Sequence, residues 1–205
     1  MNKQLLILSG ALLLSACNNA APQPPLSEAP LTGARIGGAF TLTDQDGEKR
    51  SRDEFGGKWR MVYFGYTACP DICTPDMQNL MAGLKLFAAQ EPELAANIQP
   101  IFITVDPARD TPQMLTQFVR AFHPRLIGLT GSHDEIAAVA KAYAVAYSIV
   151  PGGTDKSYLV SHTQTPFLMD PDGKPVAVLP ANQPGTGKNE GRPEAVANEL
   201  ARWVR

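Results

Sequence analysis

Histidine is scarce in this chain: three in 205 residues. His123, His133 and His162 are too far apart to form the local clusters that zinc fingers and haem-attachment motifs need. An excess of basic charge is also missing. The 18 lysines and arginines stand against 20 aspartates and glutamates, which leaves no electrostatic footprint for nucleic acid. Long apolar runs are absent too. Leu5 to Leu14 covers ten residues, whereas a membrane-spanning helix needs about 20. There is no internal repeat, and cysteine is limited to Cys17, Cys69 and Cys73.

What is present begins with an export signal. Lys3 gives a positive n-region, Leu5 to Leu14 the apolar h-region, and Ser15-Ala16 the small residues before a cleavage point. Leu14-Ser15-Ala16-Cys17 resembles the lipobox of bacterial lipoproteins, which implies removal of residues 1–16 and a lipid on Cys17. The alternative is an ordinary secretory signal followed by an unrelated cysteine. Lipidation resolves an odd cysteine count in an exported chain, because it leaves Cys69 and Cys73 as a pair. Losing Lys3 with the signal shifts the formal charge from −2 to −3. The expected location is exported and lipid-anchored to a bacterial membrane, on its periplasmic or extracytoplasmic face; Asn18 leaves inner and outer membrane open. Residues 17–34, with Pro22, Pro24, Pro25 and Pro30, have the composition of an extended tether. Residues 35–205 are one domain by length.

Within that domain, Asp46-Gly47 marks an N-terminal hairpin. Arg60 to Gly65 and Ile98 to Val105 read as buried strands. Helical spacing predicts a helix from Cys73 to Ala89, with Met77, Leu80, Met81, Leu84 and Phe87 inward. Asp110-Thr111-Pro112 opens a second helix with a capping oxygen and a first-turn proline. Leu126 to Leu129, a helix from Asp134 to Tyr143, and Val145 to Val150 continue the alternation. A hairpin at Asp170-Pro171-Asp172-Gly173 and a terminal helix from Pro193 complete it. Alternation of this kind specifies an α/β fold, a central mixed sheet flanked by helices. With a cysteine pair after the first buried strand, the order looks like a thioredoxin fold, whose ligands bind at the carboxyl ends of the strands.

The chemistry concentrates at Cys69 and Cys73. A helix N-terminus favours thiolate over thiol, and sulfurs four residues apart on a helix share one side. His162 enters as a third candidate ligand, placed in a polar loop before the strand Phe167 to Met169. Two thiolates and an imidazole suit a soft or borderline cation. Copper as Cu(I) is favoured, Cu(II) stays open, and so does zinc with water as a fourth ligand. A structural Cys69–Cys73 disulfide is the bland alternative, but so small a loop gains little chain entropy. Met77 reads as core rather than ligand. His123 and His133 read as loop and helix-start residues. Asp71 suits either a helix start or the orientation of a metal-bound water, and Asp106, Arg109 and Asp110 read as a loop ion pair.

Three separated motifs carry a resemblance: Tyr63-Phe64-Gly65-Tyr66-Thr67-Ala68-Cys69-Pro70-Asp71-Ile72-Cys73, then Val105-Asp106-Pro107-Ala108-Arg109-Asp110-Thr111, then Tyr158-Leu159-Val160-Ser161-His162-Thr163 with Asp170-Pro171-Asp172-Gly173. Together, and in this order, they resemble the Sco/SenC copper-chaperone family over residues 35 to 205. The resemblance implies a membrane-tethered thioredoxin-like domain that binds copper through Cys69, Cys73 and His162. It also implies a role in building the binuclear copper site of cytochrome c oxidase. The implied partners are the copper-bearing oxidase subunit and other periplasmic copper chaperones or thiol reductants. Departures are Ser161 where the family usually has an acid, Thr74 before Pro75, and Pro166 before the late strand. Losing the acid bears on the surroundings of the ligands.

A competing function is thiol–disulfide reduction on exported or oxidase-subunit proteins. Cys69 would be the nucleophile and Cys73 the resolving thiol, alternating between a dithiol and a reversible disulfide. His162 discriminates, since reductase chemistry does not need it. No Thr-x-x-Cys ends at either cysteine, which argues against a peroxidase of the peroxiredoxin kind. A purely structural binding domain is the third class.

Overall fold

The computed structural model describes residues 22–70, 72–151, 157–182 and 190–205. The export signal, Cys17 and Asp71 lie outside the described residues. The N-terminal hairpin consists of β1 (Thr41–Asp44) and β2 (Lys49–Ser51), paired antiparallel around a turn where Gly47 takes φ +87°. β3 (Trp59–Gly65) and β4 (Ile98–Thr104) are buried along their whole length. That explains their continuous apolar runs, which are typical of parallel strands covered on both faces. They pair in parallel from Trp59↔Ile98 to Gly65↔Thr104.

Between them run α1 (Cys73–Gln90) and a five-residue helix, α2 (Pro92–Ala96). The short helix escaped the sequence reading because one turn carries no periodic signal. After β4 come α3 (Pro112–Phe122), β5 (Ile127–Thr130) and α4 (His133–Ala142). Thr111 caps α3 through a hydrogen bond accepted from the Met114 N–H, as the Thr-Pro pair predicts. Next is a hairpin of β6 (Tyr147–Val150) and β7 (Leu159–His162), then β8 (Phe167–Met169), β9 (Pro175–Val178) and α5 (Pro193–Trp203).

The main sheet has seven strands in the order β2-β1-β5-β4-β3-β8-β9, with β3, β4 and β5 mutually parallel at its centre. Successive side chains on a strand face opposite ways, and this assigns the helices. Tyr63 stacks on Phe102 and donates to Asp76 of α1, and Phe102 meets Phe118 of α3. Phe64, on the opposite face, meets Tyr143 at the end of α4. β6 and β7 form a separate two-stranded sheet.

The proline-rich stretch differs from a free tether over its described part. Gln23 donates to the Ala201 and Val204 carbonyls at the end of α5, and Arg205 donates to the Pro24 carbonyl. The Leu31 N–H bonds the Val176 carbonyl on the outer strand β9. This segment therefore covers a sheet edge.

α1 and α5 approach so closely that Gly83 has no room for a side chain. A Cβ there would stand 2.5 Å from Val196 Cβ and 2.9 Å from the Pro193 carbonyl oxygen. Replacing a helical glycine by alanine ordinarily gains about 1 kcal/mol. Here the clash is with the Cβ itself and no rotamer relieves it, so overpacking at about 1–3 kcal/mol dominates. Gly83→Ala should lower the urea midpoint, whereas a raised midpoint would show that the helices separate at no cost.

Candidate metal centre

The site lies at the carboxyl end of β3, where the strand passes through Tyr66 into a tight turn. The Cys69 N–H bonds the Tyr66 carbonyl at 3.2 Å, and α1 starts at Cys73. Cys69 is thus placed before the helix rather than on it. The two sulfurs meet because of this turn, not through the i, i+4 face of a helix. The Cys69 sulfur accepts the Cys73 backbone N–H at 3.4 Å. It occupies the position of a helix cap, where Ile72 supplies no side-chain acceptor. Unpaired N–H groups and the positive end of the helix dipole favour an anion there.

Cys73 is wholly buried, while Cys69 is half-buried, and both are free thiols. Gly65 makes room for the inner sulfur: a Cβ at that position would lie 3.0 Å from both Cys73 Sγ and Phe102 Cε2.

His162 arrives from the other side as the last residue of β7, paired with Tyr147 across the hairpin. The sequence reading placed it in a loop. The strand is only four residues long, and its outward residues Leu159 and Ser161 break any clean polar–apolar alternation. His162 Nε2 lies 3.2 Å from Cys73 Sγ, and Nδ1 lies 3.0 Å from the Thr163 carbonyl oxygen. A carbonyl only accepts, so Nδ1 carries a proton there, and Nε2 is the ring nitrogen turned toward the sulfurs. The rings of Tyr66 and Tyr63 meet the imidazole edge-on at 6.0 and 6.4 Å. Among the described residues, Cys69, Cys73 and His162 offer one ligand-type atom each, all within 4.8 Å of one another.

The electrostatics are asymmetric. The Cys69 thiol is drawn down to about 3, above all by the hydrogen bond from the Cys73 side chain, then by His162 and the N–H groups of Cys73 and Ile72, against burial. The Cys73 thiol is pushed up by that same bond and by its burial. One proton therefore sits on Cys73 beside a Cys69 thiolate.

One residue of this site gave no signal in the sequence. Asp76, buried in the first turn of α1, accepts from the Tyr63 hydroxyl at 2.9 Å and from the Asn182 N–H at 3.0 Å. Burial pushes its carboxyl above the usual range. An aspartate near a helix start reads from sequence as a solvated residue, and only the fold turns it inward.

The other candidates fall as expected or nearly so. Met77 is core, His123 caps α3, and His133 starts α4. Asp106 pairs with Arg109. Asp110 takes no part in that pair; it is buried and accepts instead from Thr67 and Thr104. Ser161 is exposed.

A parallel three-strand centre with a reactive pair at the carboxyl end of β3 defines a thioredoxin-like protein with a two-sulfur, one-imidazole centre. The thioredoxin domain of a Bacteroides vulgatus thiol–disulfide oxidoreductase shares the fold at TM-score 0.54 and 17% identity, covering 83% of this chain and 96% of that one. Arabidopsis thaliana ScoI with copper bound superposes at TM-score 0.71 and 35% identity, covering 82% and 96% of the two chains. The SCO1/SenC family model matches residues 28–204, and the chain belongs to that family. The bovine mitochondrial SCO2 homolog is 44% identical over 168 residues, which cover 81% of this chain and 62% of that protein. The chain thus spans less than two thirds of that relative's length.

The asymmetry of the two sulfurs has a direct readout. In the reduced apoprotein, iodoacetamide should label Cys69 and spare buried Cys73. The rate should stay flat as the pH falls from about 8 to 5, because a thiol titrating at about 3 is still ionised there. A rate dropping tenfold per unit below about 8.5 would mark an ordinary thiol and contradict the geometry.

Proposed function

We propose that the chain holds copper between Cys69, Cys73 and His162 and delivers it to the copper-bearing subunit of cytochrome c oxidase. The observation that carries this reading is the convergence of the three ligand-type atoms within 4.8 Å. Bonds of about 2.0–2.3 Å around one ion require donors at such separations, and the two sulfurs make the set soft. Low coordination and thiolate softness favour Cu(I). Support comes from the copper-bound ScoI of Arabidopsis thaliana. A further structural neighbour, BsSco, 24% identical at TM-score 0.58, is described as a member of the Sco family of cytochrome c oxidase assembly proteins.

Half-buried Cys69 is the point of handover, since an incoming thiolate reaches it from solvent and exchanges for it. Anaerobic Cu(I) titration of the reduced protein should give one ion per chain. Cys69→Ser and Cys73→Ser should abolish tight binding. His162→Ala should weaken it by at least tenfold, because even partners outside the ligand set cost about 10–100-fold. Unchanged affinity in His162→Ala would remove this residue from the site.

A second reading, thiol–disulfide reduction, is favoured by the half-buried Cys69 sulfur, which accepts the Cys73 N–H at the start of α1 beside the buried free Cys73, an arrangement that draws the Cys69 thiol down. The Cys69 thiolate attacks a substrate disulfide and expels one sulfur as thiolate. The Cys73 thiol loses its proton and displaces the second sulfur, leaving Cys69–Cys73 oxidised and the substrate reduced. Oxidation of the pair removes both thiolates, so metal binding and the disulfide exclude one another.

The Leu14-Ser15-Ala16-Cys17 match supports reading the protein as a lipoprotein outside the cytoplasm, anchored through acyl chains on Cys17. Mass spectrometry of membrane-extracted protein should find an acylated N-terminus at Cys17, and an unmodified soluble chain starting elsewhere would refute the anchor.

A further inference from the structure

The segment Val105 to Thr111 supplies no ligand, yet it touches both halves of the centre. Asp110, wholly buried, accepts from the Thr67 N–H at 2.9 Å and the Thr67 hydroxyl at 2.6 Å, two residues before Cys69. It also accepts from the Thr104 hydroxyl at 2.6 Å, which ties it to the end of β4.

Arg109 reaches the other half. Its guanidinium lies 3.7 Å over the Tyr158 ring and 5.5 Å from the Tyr66 ring, and Nη1 donates to the Tyr158 carbonyl at 2.8 Å. Its Nε pairs with Asp106, whose second oxygen accepts the Tyr158 hydroxyl at 2.6 Å. Tyr66, held beneath Arg109, accepts the Val160 N–H at 3.3 Å. β6 and β7 share no ladder with the main sheet. Besides the burial of Val160, these contacts join the start of β7 to the domain.

We infer that Asp106, Arg109 and Asp110 are the positioning residues of the centre: one loop grips the cysteine turn through Asp110 and the histidine hairpin through Arg109 and Asp106. It thereby sets the 3.2 Å approach of His162 to Cys73. An ion pair on an open surface does little. This one is partly buried, stacked on the Tyr158 ring with Tyr66 nearby, and bonded through Nε and Nη1, so the guanidinium is held on two sides and passes its placement to the hairpin. Lysine has neither the plane nor the fork to do so. The inference rests on the copper reading of the same three ligands.

Arg109→Met keeps the apolar stem and removes the fork. In the whole chain it should lower Cu(I) affinity about tenfold, the lower range for a partner outside the ligand set. In a His162→Ala background it should cause no further loss, because both changes then remove one interaction. Tyr158→Phe, which keeps the ring under the guanidinium, should retain most of the affinity that Tyr158→Leu loses. Amide exchange in apoprotein should quicken at Val160 and Thr163 and stay unchanged in β3 and β4.

Additive losses in the double variant, or exchange quickened evenly across the sheet, would reduce Arg109 to a general stabiliser and overturn the inference. Full affinity in His162→Ala overturns the ligand assignment instead, which is a separable result.

Discussion

The approach of His162 to Cys73 is the constraint on which the rest of the site depends. The two residues stand 89 positions apart and belong to different units, a strand-to-helix turn and a hairpin with its own two-stranded sheet. Bringing such distant groups together costs loop entropy that grows slowly with separation. The costlier requirement is orientation, since an imidazole tilted or withdrawn by an ångström no longer brings Nε2 up to the sulfurs. The protein meets that requirement by immobilising the ring: Nδ1 on a carbonyl, two tyrosine rings perpendicular to it, and β7 paired to β6. Each is a modest interaction, and together they leave one arrangement.

Charge follows from the same placement. Two sulfurs this close do not both ionise readily, so the proton stays on the buried one and the outer one becomes the thiolate. Asp76 sharpens the contrast. It lies in the first turn of α1 behind Cys73, and in its ionised form it adds a smaller opposition to a second negative charge at that sulfur, after the Cys69 bond and burial. A cation entering between the sulfurs reverses the balance and displaces the Cys73 proton. The centre is thus poised with one thiolate ready at the surface and a second released by the arrival of positive charge.

The fold was legible where burial imposes a long pattern. β3, β4 and α1 announce themselves because apolar runs and helical spacing extend over seven or more residues. The cysteine pair was legible from residue type alone. β7 and α2 were not, since four or five residues carry too little periodicity. The inward turn of Asp76 was hidden for another reason: a carboxylate early in a helix is ordinarily explained by the dipole, and its partners, Tyr63 and Asn182, come from elsewhere in the chain. Asp110 misled in the same way. Its neighbour Arg109 suggests an ion pair by proximity, but the fold gives Asp110 two threonines and gives Arg109 to Asp106.

A three-donor centre suits cargo better than a resident ion. Four closed ligands hold a metal for structure, whereas an open position admits an exchanging group. Here the half-buried sulfur is also the ionised one, while the buried Cys73 is fixed by packing and His162 by its place at the end of β7. On the delivery reading proposed above, an incoming thiolate would meet the weakest geometric restraint at Cys69, the half-buried sulfur on a turn, while Cys73 and His162 would be the donors that hold on longest. The same exposure and ionisation make Cys69 a competent nucleophile toward disulfides. The two chemistries share their sulfurs and differ in the imidazole, so the precise seating of His162 is a structural investment that disulfide exchange alone does not require.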